Sequence, residues 1–358
     1  MDKYSRREFL KYLGIGTLST FIPSHIASGK TENLTKMSIT YPPVISSLPL
    51  KHGVDNGIFE KFGLDLRIQN VPGKKEALEP LIKGSNHCCI TDISRSLMFF
   101  DRIGKNISIT STVYRPPRGL RHLGLLQSGL QEKTDSLSSF AEKLKNSDKN
   151  SIQLMIGSDV HYLTDTLFSK FDIITDENSF YSNRSSLPQT IQYLWSGKIF
   201  SAVLAEPLLT LVLEIPYFTK PLVISDYSDV RSLPSIFVFR KGVLNSNKEM
   251  VAKFYRGWME SVNETNKLSK ERLFSLALTV AENIPGFKGK LENISIPPEF
   301  EQSFNKPKFE NPEALENEDY SRVADWALTK GYIGKIPEYS SLVNLEVLNS
   351  LKTKKTKK

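Results

Sequence analysis

The sequence predicts a two-lobed α/β protein, and three observations predict it. Short apolar strands alternate with amphipathic helices over residues 37–114. The alternation breaks at Arg115-Pro116-Pro117-Arg118-Gly119 and then resumes with new elements. A further strand and a long helix after Ser235 read as a return to the first lobe. Strand–helix alternation calls for a largely parallel sheet with helices on both faces. A chain that goes out and comes back leaves a cleft between its lobes. Ligands in such sheets bind beyond the carboxyl ends of strands, at loops and helix N-termini. The loops after Tyr41, Ile90, Tyr114, Ile156 and Leu204 are therefore the expected walls of a site.

The elements follow from periodicity and punctuation. Met37–Tyr41 alternates and is stopped by Pro42-Pro43. Leu48–Phe59 has one apolar face and reads as a helix, with Gly63 placed like a C-terminal cap. Leu64–Val71 is a strand, Lys74–Lys83 a helix closed by Gly84, and Cys88–Ile93 a strand. Ser94–Arg102 is a helix ended by Gly104, and Ile107–Tyr114 a strand. Past the break come strand Leu123–Gln127, helix Leu137–Lys145 started by Ser136, and strand Ile152–Ile156. Helices His161–Lys170 and Leu187–Trp195, strand Ala202–Leu204 and helix Pro207–Glu214 follow. Strand Leu222–Ser225 leads back to strand Ser235–Arg240 and helix Met250–Leu268. The last clear helix is Tyr320–Lys330, closed by Gly331. No internal repeat is visible.

Composition narrows the function classes. Of 358 residues, 39% are hydrophobic and 24% charged, which leaves ample material for a core. No apolar run is long enough to span a bilayer as a helix. The net charge is +8, but +2 sits in the first eleven residues and five lysines lie in Lys352–Lys358. The body is nearly neutral, so no basic stripe for nucleic acid is expected. Cys88 and Cys89 are the only cysteines. Adjacent strand residues point to opposite faces, so they read as buried apolar residues rather than a disulfide. His87-Cys88-Cys89 is a poor metal site, because three consecutive residues rarely converge on one ion. No metal or cofactor is expected.

The N-terminus reads as an address. Ser5-Arg6-Arg7-Glu8-Phe9-Leu10-Lys11 precedes a short apolar stretch, Tyr12–Ile22, and then small residues up to Ser28. This resembles a twin-arginine export signal carried by Arg6 and Arg7. The expected organisation is a signal peptide over 1–28, a first part of lobe 1 over 36–116, and lobe 2 over 117–222. The return to lobe 1 with C-terminal helices is placed over 223–335, and a Lys-rich extension over 336–358.

Several stretches then resemble one family. They are Asn56-Gly57-Ile58-Phe59-Glu60-Lys61-Phe62-Gly63-Leu64-Asp65-Leu66, Ala77-Leu78 through Gly84, and Gly157-Ser158 with His161-Tyr162-Leu163. Leu194-Trp195-Ser196-Gly197-Lys198-Ile199-Phe200-Ser201-Ala202 followed by Glu206-Pro207, and the helical stretch Val243–Glu260, complete the set. In this order they resemble solute-binding proteins of ABC importers with the type 2 periplasmic-binding fold, in the branch for sulfonates, taurine, nitrate and thiamine-pyrimidine precursors. Asn86-His87-Cys88-Cys89 and the arginines of residues 115–121 depart from that family's usual pattern. The resemblance implies a two-lobed fold that closes on a small polar or anionic organic molecule, an ABC permease as partner, export by the twin-arginine machinery and an extracytoplasmic location. It implies no enzymatic activity. The alternatives are an enzyme on the same fold, of pyrimidine- or menaquinone-pathway type, and a ligand-sensing partner protein.

The candidate ligand residues sit on the expected loops. Ser46 and Ser47 begin the first helix, where N–H groups favour an anion or a simple cap. Thr91, Asp92 and Ser94 follow the third strand, with Asp92 either a cap or a contact. Gly157 and Ser158 form the matching turn of lobe 2, leading to His161 and Tyr162. Tyr41 and Tyr114 offer rings for stacking or packing, and Arg115 offers a bidentate anion contact or a hinge charge. Glu206 stands before Pro207 beside the cleft.

Overall fold

The computed structural model describes residues 34–71, 74–103, 106–146, 151–175, 180–182, 187–214, 219–282 and 304–355. The signal-peptide expectation with Arg6 and Arg7, the Gly104 cap and the tip of the lysine tail lie outside the described residues.

The chain runs β1 (Thr35–Tyr41), α1 (Leu48–Asp55), β2 (Leu64–Asn70), α2 (Lys74–Ile82), β3 (Cys88–Thr91), α3 (Ile93–Ile103) and β4 (Ile107–Tyr114). Next come β5 (Leu123–Gln127), α4 (Leu137–Lys145), β6 (Ile152–Gln153), α5 (Asp159–Ser169), β7 (Tyr181–Ser182) and α6 (Leu187–Trp195). Then follow β8 (Ser201–Ala205), α7 (Leu208–Glu214), β9 (Leu222–Ser225), β10 (Ser235–Arg240), α8 (Lys241–Ser246), α9 (Lys248–Lys267) and α10 (Lys270–Glu282). The C-terminal part holds α11 (Asn317–Thr329), α12 (Tyr339–Leu342) and α13 (Glu346–Lys355).

Among the described residues, ten strands form two five-stranded sheets, ordered β2-β1-β3-β10-β4 and β7-β6-β8-β5-β9. Each sheet is mixed rather than nearly all parallel. β10 is antiparallel to β3 and β4, and β5 is antiparallel to β8 and β9. The reason is the route of the chain. Both strands enter from the other lobe at the edge where the parallel strands end, so each runs against its neighbours.

Local chemistry sets the boundaries. Leu48–Phe59 is a shorter helix than its periodicity suggests, because Gly57 takes a left-handed φ of 63° one residue past the C-cap Asn56. Gly63, at φ 75°, closes a separate 3-10 turn over Glu60–Phe62. Ser136 starts α4 in a capping box with Ser139. In β3 the two thiols part as strand geometry requires: Cys88 joins one core cluster and Cys89 the other. Both are free and fully buried, and burial pushes both thiols well above their ordinary range. The same alternation puts Phe237 and Phe239 in one core and Ile236 and Val238 in the other. No described helix is long and apolar enough to cross a membrane.

Candidate functional site

A cavity of about 260 Å³ lies between the sheets. Its walls come from the ends of β1, β3 and β4 on one side and of β6 and β8 on the other. All five loops singled out by the strand–helix pattern contribute: Pro42–Ser46, Asp92, Tyr114 with Pro116, Gln153–Met155 with Ser158–Val160, and Val203–Glu206. A larger groove of about 500 Å³ is lined by His87, Asn106 and Arg240 at the opposite ends of the lobe 1 strands. It belongs to one lobe only, and the cavity between the sheets is the better candidate for a ligand that both lobes hold.

Two helix N-termini meet at the cavity wall. Asp92 is the N-cap of α3, its Oδ1 accepting from Arg95 N–H at 2.9 Å and Ser94 Oγ at 3.4 Å. Ser158 is the N-cap of α5, its Oγ accepting from His161 N–H at 3.3 Å. The carboxylate of Asp159 then crosses between the lobes. It accepts from Ile93 N–H at 3.2 Å and Ser94 N–H at 3.0 Å. Asp159 N–H in turn points at Asp92 Oδ2, 3.5 Å away. With Ser96 N–H bonded to Asp92 O at 3.2 Å, the first four amides of α3 are all taken. Arg95 adds a second tie, donating to Ile156 O.

On the far wall Glu206 is 4% exposed. It accepts from Thr210 N–H at 3.1 Å and Thr210 Oγ1 at 2.8 Å, and Arg121 Nε lies 3.6 Å away. Burial pushes its carboxyl above the usual range, against the pull of Thr210 and Arg121. Ser46 is 3% exposed at the cavity wall, and its buried Oγ has no hydrogen-bond partner among the described residues.

Of the residues proposed from sequence, Ser46, Asp92, Tyr114, Ser158 and Glu206 line the cavity. The others lie behind its wall. Ser47 Oγ donates to Pro42 O at 2.7 Å, pinning the β1–α1 turn. Tyr41 and Thr91 are buried in lobe 1, and Ser94 is occupied by the two aspartates. Gly157 takes φ 71° beside Met98 of lobe 1. Arg115 turns away from the cavity. It donates to Ser232 O at 3.0 Å and pairs with Asp319 at the start of α11, so it fastens the crossover to the C-terminal helix.

His161 and Tyr162 pack under α11 instead. His161 Nδ1 accepts from Gly157 N–H at 3.1 Å, and the ring sits edge-on to Tyr181 and Trp326. Burial lowers its pKa to about 4, despite Asp165 Oδ2 at 3.7 Å from Nε2. Asp165 accepts from Thr175 Oγ1 at 2.6 Å, Tyr181 Oη at 2.6 Å and Trp326 Nε1 at 2.8 Å, and pairs with Lys330 at 3.0 Å. This is a packed joint between α5 and α11. Sequence reasoning missed Asp159, because an acid at the first helical position reads as a dipole partner of its own helix. It also missed His122, Gln153 and the apolar lining from Leu154, Val203 and Leu204.

Among the described residues no group of three or more His, Cys, Asp or Glu side chains is placed to hold a metal ion.

No protein-family model matches the chain, and comparison with curated protein sequences finds no match. Solved structures do match. The ligand-binding component of an ABC-type import system from Staphylococcus aureus superposes with a TM-score of 0.67 at 15% identity. It covers 87% of this chain and 97% of that one. The periplasmic aliphatic sulphonate-binding protein SsuA from Escherichia coli gives a TM-score of 0.64 at 12% identity, covering 86% and 92%. The periplasmic nitrate-binding protein NrtA from Synechocystis PCC 6803 gives 0.60 at 11%, covering 84% and 83%. The chain has the periplasmic-binding-protein fold.

Proposed function

We propose that this chain is the extracytoplasmic solute-binding component of an ABC importer, which captures a small organic molecule by closure of its lobes and hands it to a membrane permease. One observation carries the reading: a cavity between the sheets is walled by both lobes and bridged by hydrogen bonds from Asp159 and Arg95 to the opposite lobe. A cavity walled by two lobes that are tied across it changes width as the lobes move, which is the geometry of hinge-type capture. The solved structures of similar fold include the ligand-binding component of an ABC-type import system and periplasmic sulphonate- and nitrate-binding proteins, which agrees with it. The twin-arginine match at Arg6 and Arg7 supports export before delivery.

The sequence points to sulfonate-, nitrate- or pyrimidine-like ligands. The cavity wall, apolar apart from a few side chains, suits a ring better than a compact inorganic anion. Ser46, Asp92, Tyr114, Ser158 and Glu206, which line the cavity, are the proposed ligand contacts. An enzymatic reading finds less support here, since Asp92 and Glu206 serve as helix caps and the two thiols lie in the cores of lobe 1.

A thermal-shift screen against sulfonates, nitrate, carboxylates, pyrimidines and aromatic amines tests the reading. A ligand at about one hundred times its Kd adds about 2.7 kcal/mol to the native state, which reads as a rise in Tm. Silence across these classes would count against a binding role. In the same host, replacing Arg6 and Arg7 with lysine is expected to leave the protein in the cytoplasm; normal export would remove the address.

A further inference from the structure

β3, β4 and β10 run the height of lobe 1. Asp92, Tyr114 and Ser235 stand at the cavity, and His87, Ile107 and Arg240 at the groove on the opposite side. Five to seven residues separate the two along each strand, roughly 16–23 Å at about 3.3 Å per residue. The groove, about 500 Å³, is therefore a second concavity with walls of its own: the end of α2, the start of β4 and the corner between α8 and α9.

A cation faces this groove without an acid. Arg240 ends β10, where its backbone N–H donates to His87 O at 3.2 Å. Its Nε is buried with no hydrogen-bond partner among the described residues, and no described lining residue is acidic. The neighbouring Lys241 reaches elsewhere, donating to Ser341 O at 3.0 Å. His87 adds a neutral donor. Its Nδ1 accepts from Ser38 N–H at 3.1 Å, so the ring hydrogen sits on Nε2. Burial and the nearby guanidinium both lower its pKa, which keeps the ring uncharged at neutral pH. Asn106 brings an exposed amide to the rim, while Ser246 and Asn247 are bonded to one another at 3.0 Å. Leu81, Ile82, Phe99 and Val243 make the apolar part of the lining.

A groove of this volume suits a small organic molecule. One guanidinium beside a neutral imidazole matches a single negative charge, and the planar fork of arginine matches a carboxylate. A phosphate, close to dianionic at neutral pH, would leave charge uncompensated. We infer that lobe 1 carries a second ligand site in this groove, for a small organic carboxylate: Arg240 and His87 Nε2–H hold the carboxylate, Asn106 closes the rim, and the apolar side chains hold the body. The site is separate from the cavity and does not depend on the solute-binding reading.

The test titrates benzoate, benzyl alcohol and benzylamine into the full chain and follows the imidazole nitrogen resonances of its histidines. His87 reports the groove and His122 the cavity, since each lines its own site. Read at His87, benzoate is expected to bind at least about tenfold more tightly than its neutral and cationic matches. Arg240→Gln is expected to weaken it by about tenfold or more. A Cβ on Gly242 would meet nothing within 4 Å outside its own helix, so Gly242→Phe fills the groove with little disturbance. That variant is expected to weaken benzoate as much, and serves where Arg240→Gln does not fold. A shift of His122 alone assigns the anion to the cleft; it overturns the second site and leaves the solute-binding reading standing. No shift of His87 at millimolar benzoate, equal binding of the three probes there, or unchanged affinity in the folded variants also overturns it.

Discussion

The two lobes repeat one topology with different means. In each, the first strand lies one in from the edge (β1, β6), the second forms that edge (β2, β7), and the third takes the middle position on the first strand's other side (β3, β8). A strand from the other lobe follows (β10, β5), and the fourth closes the far edge (β4, β9). The correspondence makes Asp92 and Glu206 equivalents. Each follows the third strand and each bonds an amide in the first turn of the next helix. The means differ in strand length. β1, β2 and β4 have seven, seven and eight residues, whereas β6 and β7 have two each. Lobe 1 is held by its ladders and by the aromatic layer of Phe237, Phe254 and Trp258. Lobe 2 has short ladders and relies more on stacked rings: Phe140 lies 5.2 Å from Phe200 and 6.5 Å from Phe168. Equal topology thus does not mean equal resistance to opening.

The most damaging variants test that contrast. Phe237→Ala and Phe140→Ala each remove a fully buried ring and are expected to cost about 3–5 kcal/mol. Their hydrogen-exchange patterns should differ. Phe140→Ala is expected to expose amides over 123–214 while β1 and β4 stay protected. Phe237→Ala is expected to open both lobes, because β10 is the strand that ties the return crossover into lobe 1. Even loss of protection over both sheets in Phe140→Ala would show that the lobes unfold as one unit.

The lobes were not equally legible. β1, β2 and β4 alternate over seven or eight residues, enough for period-two patterning to speak. β7 pairs through Tyr181 and Ser182 alone, and two residues carry no period. Ile152–Ile156 looks like a five-residue strand, but only Ile152 and Gln153 pair, because the chain turns early to bring Gly157 and Ser158 to the cleft. The loops that wall the cavity followed from the strand–helix order alone. Which side chains face it did not. Arg115 sits beside the cleft in sequence, yet its partner Asp319 lies 204 residues later. Asp159 reads as an ordinary first-turn acid until the opposite lobe is placed against it.

Lobe 2 is also where pH should act, through two groups of opposite sign. His161 is neutral in the fold, with a pKa lowered to about 4 by burial, against the attraction of Asp165 and helped by Lys330 and Arg95. The unfolded chain binds that proton from about pH 6.5 downward. Its contribution is therefore complete above that pH and is lost as the pH falls toward 4, by about 3 kcal/mol at most. His161→Gln is expected to flatten the acid limb of a denaturation-against-pH curve. Glu206 works the other way: its raised pKa means stability present below the ordinary glutamate range and lost as pH rises through the folded value. Glu206→Gln is expected to steepen the acid limb. Two variants that shift the curve in the same direction would break this assignment.

The smallest effect isolates the contact between the lobes. Gly84 and Gly157 have nearly the same backbone, at φ 80° and 71°. Alanine at either is expected to cost about 1 kcal/mol in backbone strain. Their surroundings differ. A Cβ on Gly84 would meet Arg240 Nη1 at 3.3 Å, the end of a long side chain within lobe 1. A Cβ on Gly157 would meet Met98 Sδ and Cε at 3.2 Å, across the cleft. Strain should therefore be shared, while crowding between the lobes belongs to Gly157→Ala alone. Small-angle scattering is expected to show a larger radius of gyration for Gly157→Ala than for Gly84→Ala at matched stability. Met98→Ala in the same chain should restore the smaller value, because it removes the atoms that the new methyl meets. If the double variant stays expanded, the open form comes from the strained turn itself, and the contact between the lobes is not what holds the cleft shut.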